Sequence, residues 1–152
     1  MNSSKEYSKQ AENSLYAALN HAWAPENIFI SLFQLQYGWN RSAGAIEALE
    51  FGLSHSPHLA PVRANLAVLR LNHAKDYEAA LKDALWVLDI RKSNVHALRT
   101  AGRCYHKLGD YKKAQRYLKL AKLNSKRDRL VDRYIADLEQ DMAANNSTTS
   151  GG

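Results

Sequence analysis

Residues 96–124 read HALRTAGRCYHKLGDYKKAQRYLKLAKLN, and this stretch decides the fold. Its first half carries residues that recur at three- and four-residue spacings and so share one face of a helix: Leu98, Ala101, Gly102 and Tyr105. Gly109 is suited to end that helix, and Asp110 is suited to cap the next one. A second face follows behind this turn: Ala114, Leu118 and Ala121. The stretch therefore predicts two antiparallel helices joined by a tight turn.

The same pattern recurs upstream with a fixed period. Tyr77 and Tyr111 lie 34 residues apart, and so do Ala80 and Ala114. A spacing shared by two residue types indicates an internal repeat. The pattern resembles the tetratricopeptide (TPR) repeat, a helix–turn–helix unit of 34 residues. Six residues carry the resemblance: Gly102, Tyr105, Gly109, Tyr111, Ala114 and Ala121. Lys126 departs from the motif, because it stands where a Pro usually ends the second helix.

The resemblance implies an all-α fold of three TPR-like repeats in a short right-handed superhelix. Good helix formers are common and Pro is scarce, which favours the same class. An amphipathic helix is expected before the repeats, and a capping helix after them, because a repeat stack leaves its last apolar face bare. The predicted boundaries are an N-terminal helix at 1–25, repeats at 26–60, 61–94 and 95–128, a capping helix at 129–144 and a disordered tail at 145–152.

Resemblance to TPR proteins also implies a concave groove, lined mainly by the first helix of each repeat, that binds an extended or helical peptide. The residues assigned to partner binding are Asn65, Leu69, Asn72, His73, His96, Arg99, Arg103, His106 and Lys107. The same register adds Val62 in the second repeat and, in the first, Asn27, Ile30, Gln34 and Tyr37. The cations of the third repeat share one helical face and favour acidic side chains in the partner.

These features predict a protein-binding adaptor or chaperone. One TPR subclass grips a C-terminal carboxylate with Lys, Asn and Arg side chains, but His96 and Thr100 stand where its third-repeat Lys and Arg belong, which argues against that activity. The chain also looks like bacterial secretion chaperones, which place three repeats behind an N-terminal helix. Those chaperones are typically acidic, whereas this chain has a net charge of +6. Pilus-assembly and other scaffold TPR proteins fit about as well.

The charge is concentrated in one block. Residues 95–128 hold 10 Lys and Arg against 2 Asp and Glu, a net charge of +8. A field of this kind attracts acidic partners, which leaves an alternative function open: a basic helical-repeat module that binds nucleic acid or another polyanion. The basic residues of the second helix, such as Lys112 and Lys119, are also typical of a solvated outer face.

Little in the sequence favours catalysis. It contains no Gly-rich phosphate loop, zinc motif or nucleophile motif, so we expect no enzyme, metal or cofactor. His55 and His58 flank Pro57 in a predicted loop, and Cys104 is predicted to be a buried structural thiol. The single Cys, the polar N-terminus and the lack of a long apolar run favour a cytoplasmic protein that does not insert into a membrane. The sequence does not indicate the oligomeric state.

Overall fold

The computed structural model describes residues 41–149 and seven isolated helical residues before them: Glu6, Lys9, Gln10, Asn13, Ser14, Ala17 and Gln34. Most of the predicted N-terminal helix lies outside the described residues. So does most of the segment predicted to form the first helix of the first repeat, including Asn27, Ile30 and Tyr37. The described part of the chain consists of helices joined by turns and loops, with no strand, which confirms the predicted all-α class.

Between residues 41 and 149, six continuous helices follow one another: α1 Ser42–His55, α2 Ala60–Leu69, α3 Tyr77–Ile90, α4 Val95–Lys107, α5 Tyr111–Asn124 and α6 Arg129–Thr149. A π-helical turn, Arg70–Ala74, extends α2. Each helix packs on the next, and α2 also contacts α4, as α4 contacts α6. Thus α2 with α3 and α4 with α5 form two helical hairpins at the positions predicted for the second and third repeats, and α1 lies where the second helix of the first repeat is predicted.

Side-chain caps set where α3 and α5 begin. Asp76 accepts a hydrogen bond from the backbone N–H of Ala79 at 3.0 Å, and Asp110 accepts one from Lys113 at 3.1 Å. These bonds satisfy N–H groups that the first turn of a helix leaves unpaired. The residue before each cap, Lys75 or Gly109, has a positive φ of 56° or 84° and ends the preceding helix. The turns therefore repeat at the predicted period.

Close packing within the third repeat depends on Gly102. A Cβ atom built there would lie 2.7 Å from Cγ and 2.8 Å from Cδ2 of Leu118, and Leu118 is itself fully buried. Ala101 and Ala114 are also fully buried, as the period predicts. Small residues thus let α4 and α5 approach closely enough to interlock.

The last helix covers the third repeat. Tyr134 and Leu138 of α6 pack with Ala114 and Leu118 in one apolar cluster. We predicted that this helix would end at residue 144 and that a disordered tail would start at 145, but it continues to Thr149. One tertiary contact accompanies the extension, because the amide of Asn145 donates a hydrogen bond to the Tyr111 hydroxyl at 2.8 Å.

A buried carboxylate joins the first and second repeats. Asp83 is 3% exposed and pairs with the guanidinium groups of Arg63, at 3.1 Å, and of Arg70. Arg70 also bonds Glu50 at 2.5 Å, and Arg63 lies over the ring of Trp86. Burial by itself would lower the pKa of Arg70, but its hydrogen bond to Glu50 and the charge of Asp83 raise that pKa. The network therefore ties together α1, α2 and α3.

We predict that Gly102→Ala destabilises the protein by about 1–3 kcal/mol, because the added methyl group overpacks Leu118. In a Leu118→Ala background the same change should cost nothing or stabilise the protein by up to about 1 kcal/mol, since Ala is the better helix former. Urea unfolding of the two single variants and the double variant, followed by circular dichroism, measures this coupling. Equal effects of Gly102→Ala in both backgrounds would contradict the proposed contact.

Candidate binding groove

The residues predicted to bind a partner lie on two neighbouring elements. The π-extended helix α2 carries Asn65, Leu69, Asn72 and His73, whereas α4 carries His96, Arg99, Arg103, His106 and Lys107. Because α2 and α4 are in contact, the two sets can line one continuous surface. Their side chains, however, face different surroundings.

The guanidinium of Arg99 binds the carboxylate that opens α6. Arg99 Nη1 donates to Asp128 Oδ2 at 2.6 Å, and Arg99 Nη2 donates to Nδ1 of His96 at 3.1 Å. Asp128 Oδ1 also accepts from the backbone N–H groups of Leu130 and Val131 at 3.0 and 3.2 Å. Partial burial would raise the pKa of Asp128, but the hydrogen bond from Val131 and the charge of Arg99 lower it below its ordinary value. Asp128 thus caps α6 and anchors it to α4.

Two further acids of α6 meet α4 beyond this point. Arg103 pairs with Asp137 at 3.0 Å, and its guanidinium lies 4.6 Å from the centroid of the Tyr134 ring. Arg103 Nη1 also donates to Nδ1 of His106 at 3.1 Å, so Nε2 is the His106 nitrogen left to donate to Asp141, at 2.7 Å. We call the pairs Arg99–Asp128, Arg103–Asp137 and His106–Asp141 the α4–α6 seam.

The seam concerns two of the residues predicted to bind a partner. The sequence leads us to expect that Arg99 and Arg103 bind acidic side chains of a partner, and in the structure Asp128 and Asp137 already pair with them. His106 is 5% exposed and lies inside the seam. Among the predicted cations of α4, Lys107 is exposed and has no ion-pair partner within the described residues. The third repeat therefore offers less positive charge to a groove ligand than its sequence suggests.

The second repeat divides between core and surface. Leu69 is 2% exposed and Val62 is fully buried, and both pack against α1. These two side chains therefore stabilise the fold and are not presented to a partner. Asn72 is exposed, and its carbonyl accepts a hydrogen bond from Lys75 Nζ at 2.6 Å. The imidazole of His73 bonds the hydroxyl of Ser42 at 3.0 Å.

A pocket of about 240 Å³ brings two of the predicted residues together. Its polar lining consists of Asn65, Arg91, Asn94 and His96. Its apolar lining consists of Ala60, Pro61, Ala64 and Val68. Arg91 was not among the residues predicted from the sequence, because it lies in the loop before α4 and the motif assigns groove positions only to first helices. Arg91 lies only three residues before Asn94, which caps α4, and this closeness to the start of a groove helix could have revealed it.

The thiol of Cys104 is buried in the core. It is fully buried beside Leu71 and Ala80, and this burial raises its pKa to about 12. Such a thiol is a poor nucleophile, because the thiolate is the reactive form. The described residues also contain no group of three or more His, Cys, Asp or Glu side chains that could hold a metal ion.

We predict that Asp128→Asn lowers the free energy of unfolding by about 1 kcal/mol at neutral pH and Asp128→Ala by about 2 kcal/mol. Asn retains a capping oxygen but loses the charge facing Arg99, whereas Ala loses both. The pKa of Asp128 is lower in the folded state than in the unfolded state, where it is near 3.8. The charge therefore stabilises the folded protein at pH values above the unfolded-state pKa, and this stabilisation is lost as the pH falls through the folded-state pKa. Urea unfolding at neutral pH and at about pH 3 should show the Asn penalty shrinking in acid. A penalty independent of pH would contradict this role.

We also predict that Cys104 reacts with a thiol reagent only when the protein unfolds. With a pKa of about 12, roughly one thiol in ten thousand is ionised at pH 8, and the buried sulfur is sterically protected as well. Labelling with a chromogenic disulfide should be slow in buffer and complete in guanidinium, with one thiol released per chain. Fast stoichiometric labelling of the folded protein would show that the thiol is accessible.

Comparisons with known proteins identify the architecture. No protein-family model matches the chain, and no curated protein matches it in sequence. Its structure superposes on the TPR domain of Arabidopsis OM64 with a TM-score of 0.70 and 16% identity, over 81% of this chain and 98% of that one. It also superposes on the second TPR domain of human RPAP3, solved by NMR in complex with the HSP70 peptide SGPTIEEVD. There the TM-score is 0.66 and the identity 19%, over 73% of this chain and 92% of that one. The chain thus has the tetratricopeptide-repeat fold.

Proposed function

We propose that this chain is a protein-binding module that holds a segment of a partner protein in the groove formed by α2 and α4. The observation that carries the proposal is the pocket between these helices, because it joins an apolar lining to convergent polar groups. Recognition sites commonly combine these two features. The RPAP3 domain, which shares the fold, was solved with a bound peptide, and this supports the same general mode of use.

The pocket suggests the chemistry of the bound segment. Ala64 and Val68 suit a small apolar side chain, while Arg91 and His96 at the polar edge suit a neighbouring carboxylate. The amide of Asn65 can bond a peptide backbone. We therefore propose a partner segment that places an apolar residue beside an acidic one. Asn72, His73 and Lys107 would contact the same segment at the far end of the groove.

The α4–α6 seam limits which cations of the groove can bind acidic residues of a partner. A carboxylate that approached Arg99 or Arg103 would have to displace Asp128 or Asp137, so it would exchange one ion pair for another. Attraction of an acidic segment therefore falls mainly on Arg91. In this proposal Arg99, Arg103 and His106 hold α6 in place and support the groove indirectly.

The partner is not expected to be selected by a C-terminal carboxylate clamp. Thr100 stands where that subclass has its Arg, and it is 2% exposed. Within the proposal, the module acts as a cytoplasmic adaptor or chaperone. The looser resemblance to secretion chaperones makes secretion and surface-structure assembly the first settings to test. The rival function, binding of nucleic acid or another polyanion, is supported by the unpaired basic residues of α5.

Affinity capture with mass spectrometry, run with and without nuclease, should identify a protein partner that is still captured after nuclease treatment.

We predict that Arg91→Glu weakens binding of the captured segment about tenfold, because it replaces attraction with repulsion at the pocket. Lys112→Glu is the matched control, since it makes the same charge change on the outer face of α5. Fluorescence anisotropy at two salt concentrations gives both affinities. Equal weakening by the two variants, or loss of capture with nuclease, would instead support the polyanion function.

A further inference from the structure

The outward side of α5 and the turn after it form a continuous basic surface. From Tyr111 to Arg127 the chain contains seven Lys and Arg and no Asp or Glu. Five of these cations are exposed and have no ion-pair partner among the described residues: Lys112, Arg116, Lys119, Lys126 and Arg127. We call these five residues the outer basic face. It contrasts with the α4–α6 seam, where each cation has an acid.

The two remaining cations of this stretch do form ion pairs with acidic residues. Lys113 binds Asp110 at 2.9 Å, and Lys122 binds Asp132 of α6 at 2.5 Å. Both pairs lie at the margins of the outer face. The unpaired charges therefore sit together on one side, where their fields add and attract a polyanionic surface.

Exposed leucines accompany these cations. Leu123 is 72% exposed and Leu120 is 36% exposed. Lys112, Arg116, Lys119 and Leu123 follow one another at steps of four, three and four, so they share the side of α5 opposite its buried face. Lys126 and Arg127 follow immediately in the turn. The leucines are thus bracketed by positive charge along the chain.

The combination of exposed cations and exposed leucines fits an anionic lipid surface better than a nucleic acid. A nucleic-acid backbone offers phosphates but no apolar phase for a leucine, and single-strand binding relies on exposed aromatic rings. Tyr105 and Tyr117 are half-buried and stacked on each other at 5.3 Å between ring centroids, so they are not presented on this face. An anionic bilayer surface offers both charged headgroups and an apolar layer beneath them.

We propose that the outer basic face docks on an anionic lipid surface, with its cations among the headgroups and Leu123 inserted at shallow depth. Flexible Lys and Arg stems can keep their charges at headgroup level while a neighbouring leucine reaches the acyl boundary. None of the described helices is long and apolar enough to cross a membrane, so the contact would be peripheral. The face lies opposite the side of α5 that packs on α4, which leaves the groove free to bind a partner.

Vesicle co-sedimentation tests the charge requirement, using phosphatidylcholine alone or with about 30% phosphatidylserine. We expect binding only to the anionic vesicles, weakening steeply between about 50 and 300 mM salt. The triple variant Lys112→Gln, Arg116→Gln and Lys119→Gln should weaken binding about a hundredfold, since each cation contributes roughly fivefold. A matched control removes three exposed, unpaired cations elsewhere: Lys82→Gln, Lys92→Gln and Arg133→Gln. Absence of binding to anionic vesicles, or equal loss in the control, would overturn the proposal.

Leu123 separates a lipid surface from nucleic acid. Leu123→Gln should weaken vesicle binding several-fold and leave binding to a short DNA duplex unchanged. Leu123→Trp should give a blue-shifted emission when anionic vesicles are added, relative to the same titration of the parent protein. Because this side chain is exposed, both variants should keep the circular dichroism of the parent. Vesicle affinity unaffected by Leu123→Gln, or no emission shift of the new Trp, would refute the insertion. Equal loss of vesicle and DNA binding in the triple variant alone, with no effect of Leu123→Gln, would identify a general polyanion site.

Discussion

The docking of α6 on the third repeat is the contact on which the rest of the described structure depends. A stack of helix pairs leaves its last apolar face exposed, and Tyr134 and Leu138 cover that face over Ala114 and Leu118. Burying one leucine side chain contributes about 1.5–3 kcal/mol, whereas a partly exposed ion pair contributes at most about 1 kcal/mol. Apolar burial therefore supplies most of the stability. The charges of the α4–α6 seam fix the register at which α6 docks.

The repeat pattern predicted the core well because it is a local property of the sequence. Residues at three- and four-residue spacings share a helix face wherever the helix lies, so the burial of Ala101, Ala114 and Leu118 followed from spacing. The cap at Asp110 was also predicted from the sequence, since a cap bonds an N–H group three residues away, and Asp76 holds the equivalent place one repeat earlier. The spacing of the apolar residues and the positions of the caps indicate the same helix boundaries, and this agreement made the fold predictable.

The predicted site was less complete because its pairings are long-range. Arg99 finds Asp128 across the α4–α6 contact, and Arg63 and Arg70 both find Asp83 on another helix. No local pattern states which acid a given cation will meet. Leu69 shows the same limit for an apolar residue. It occupies a groove position of the motif, yet it packs against α1 because an apolar cluster already covers that side of α2.

Basic residues of the third repeat thus divide by what lies opposite them. Arg103 faces a carboxylate and an aromatic ring, so binding an external acid there would require loss of contacts that hold α6. The net gain from such an exchange is small, since each partner would replace an ion pair of similar strength. Lys112 and Arg116 give up no such contact when a polyanion approaches. The lack of such pairing makes the outer basic face the surface of the third repeat most available to an external polyanion. Selectivity in the groove depends instead on the shape and polar groups of the pocket at Asn65, Arg91 and His96.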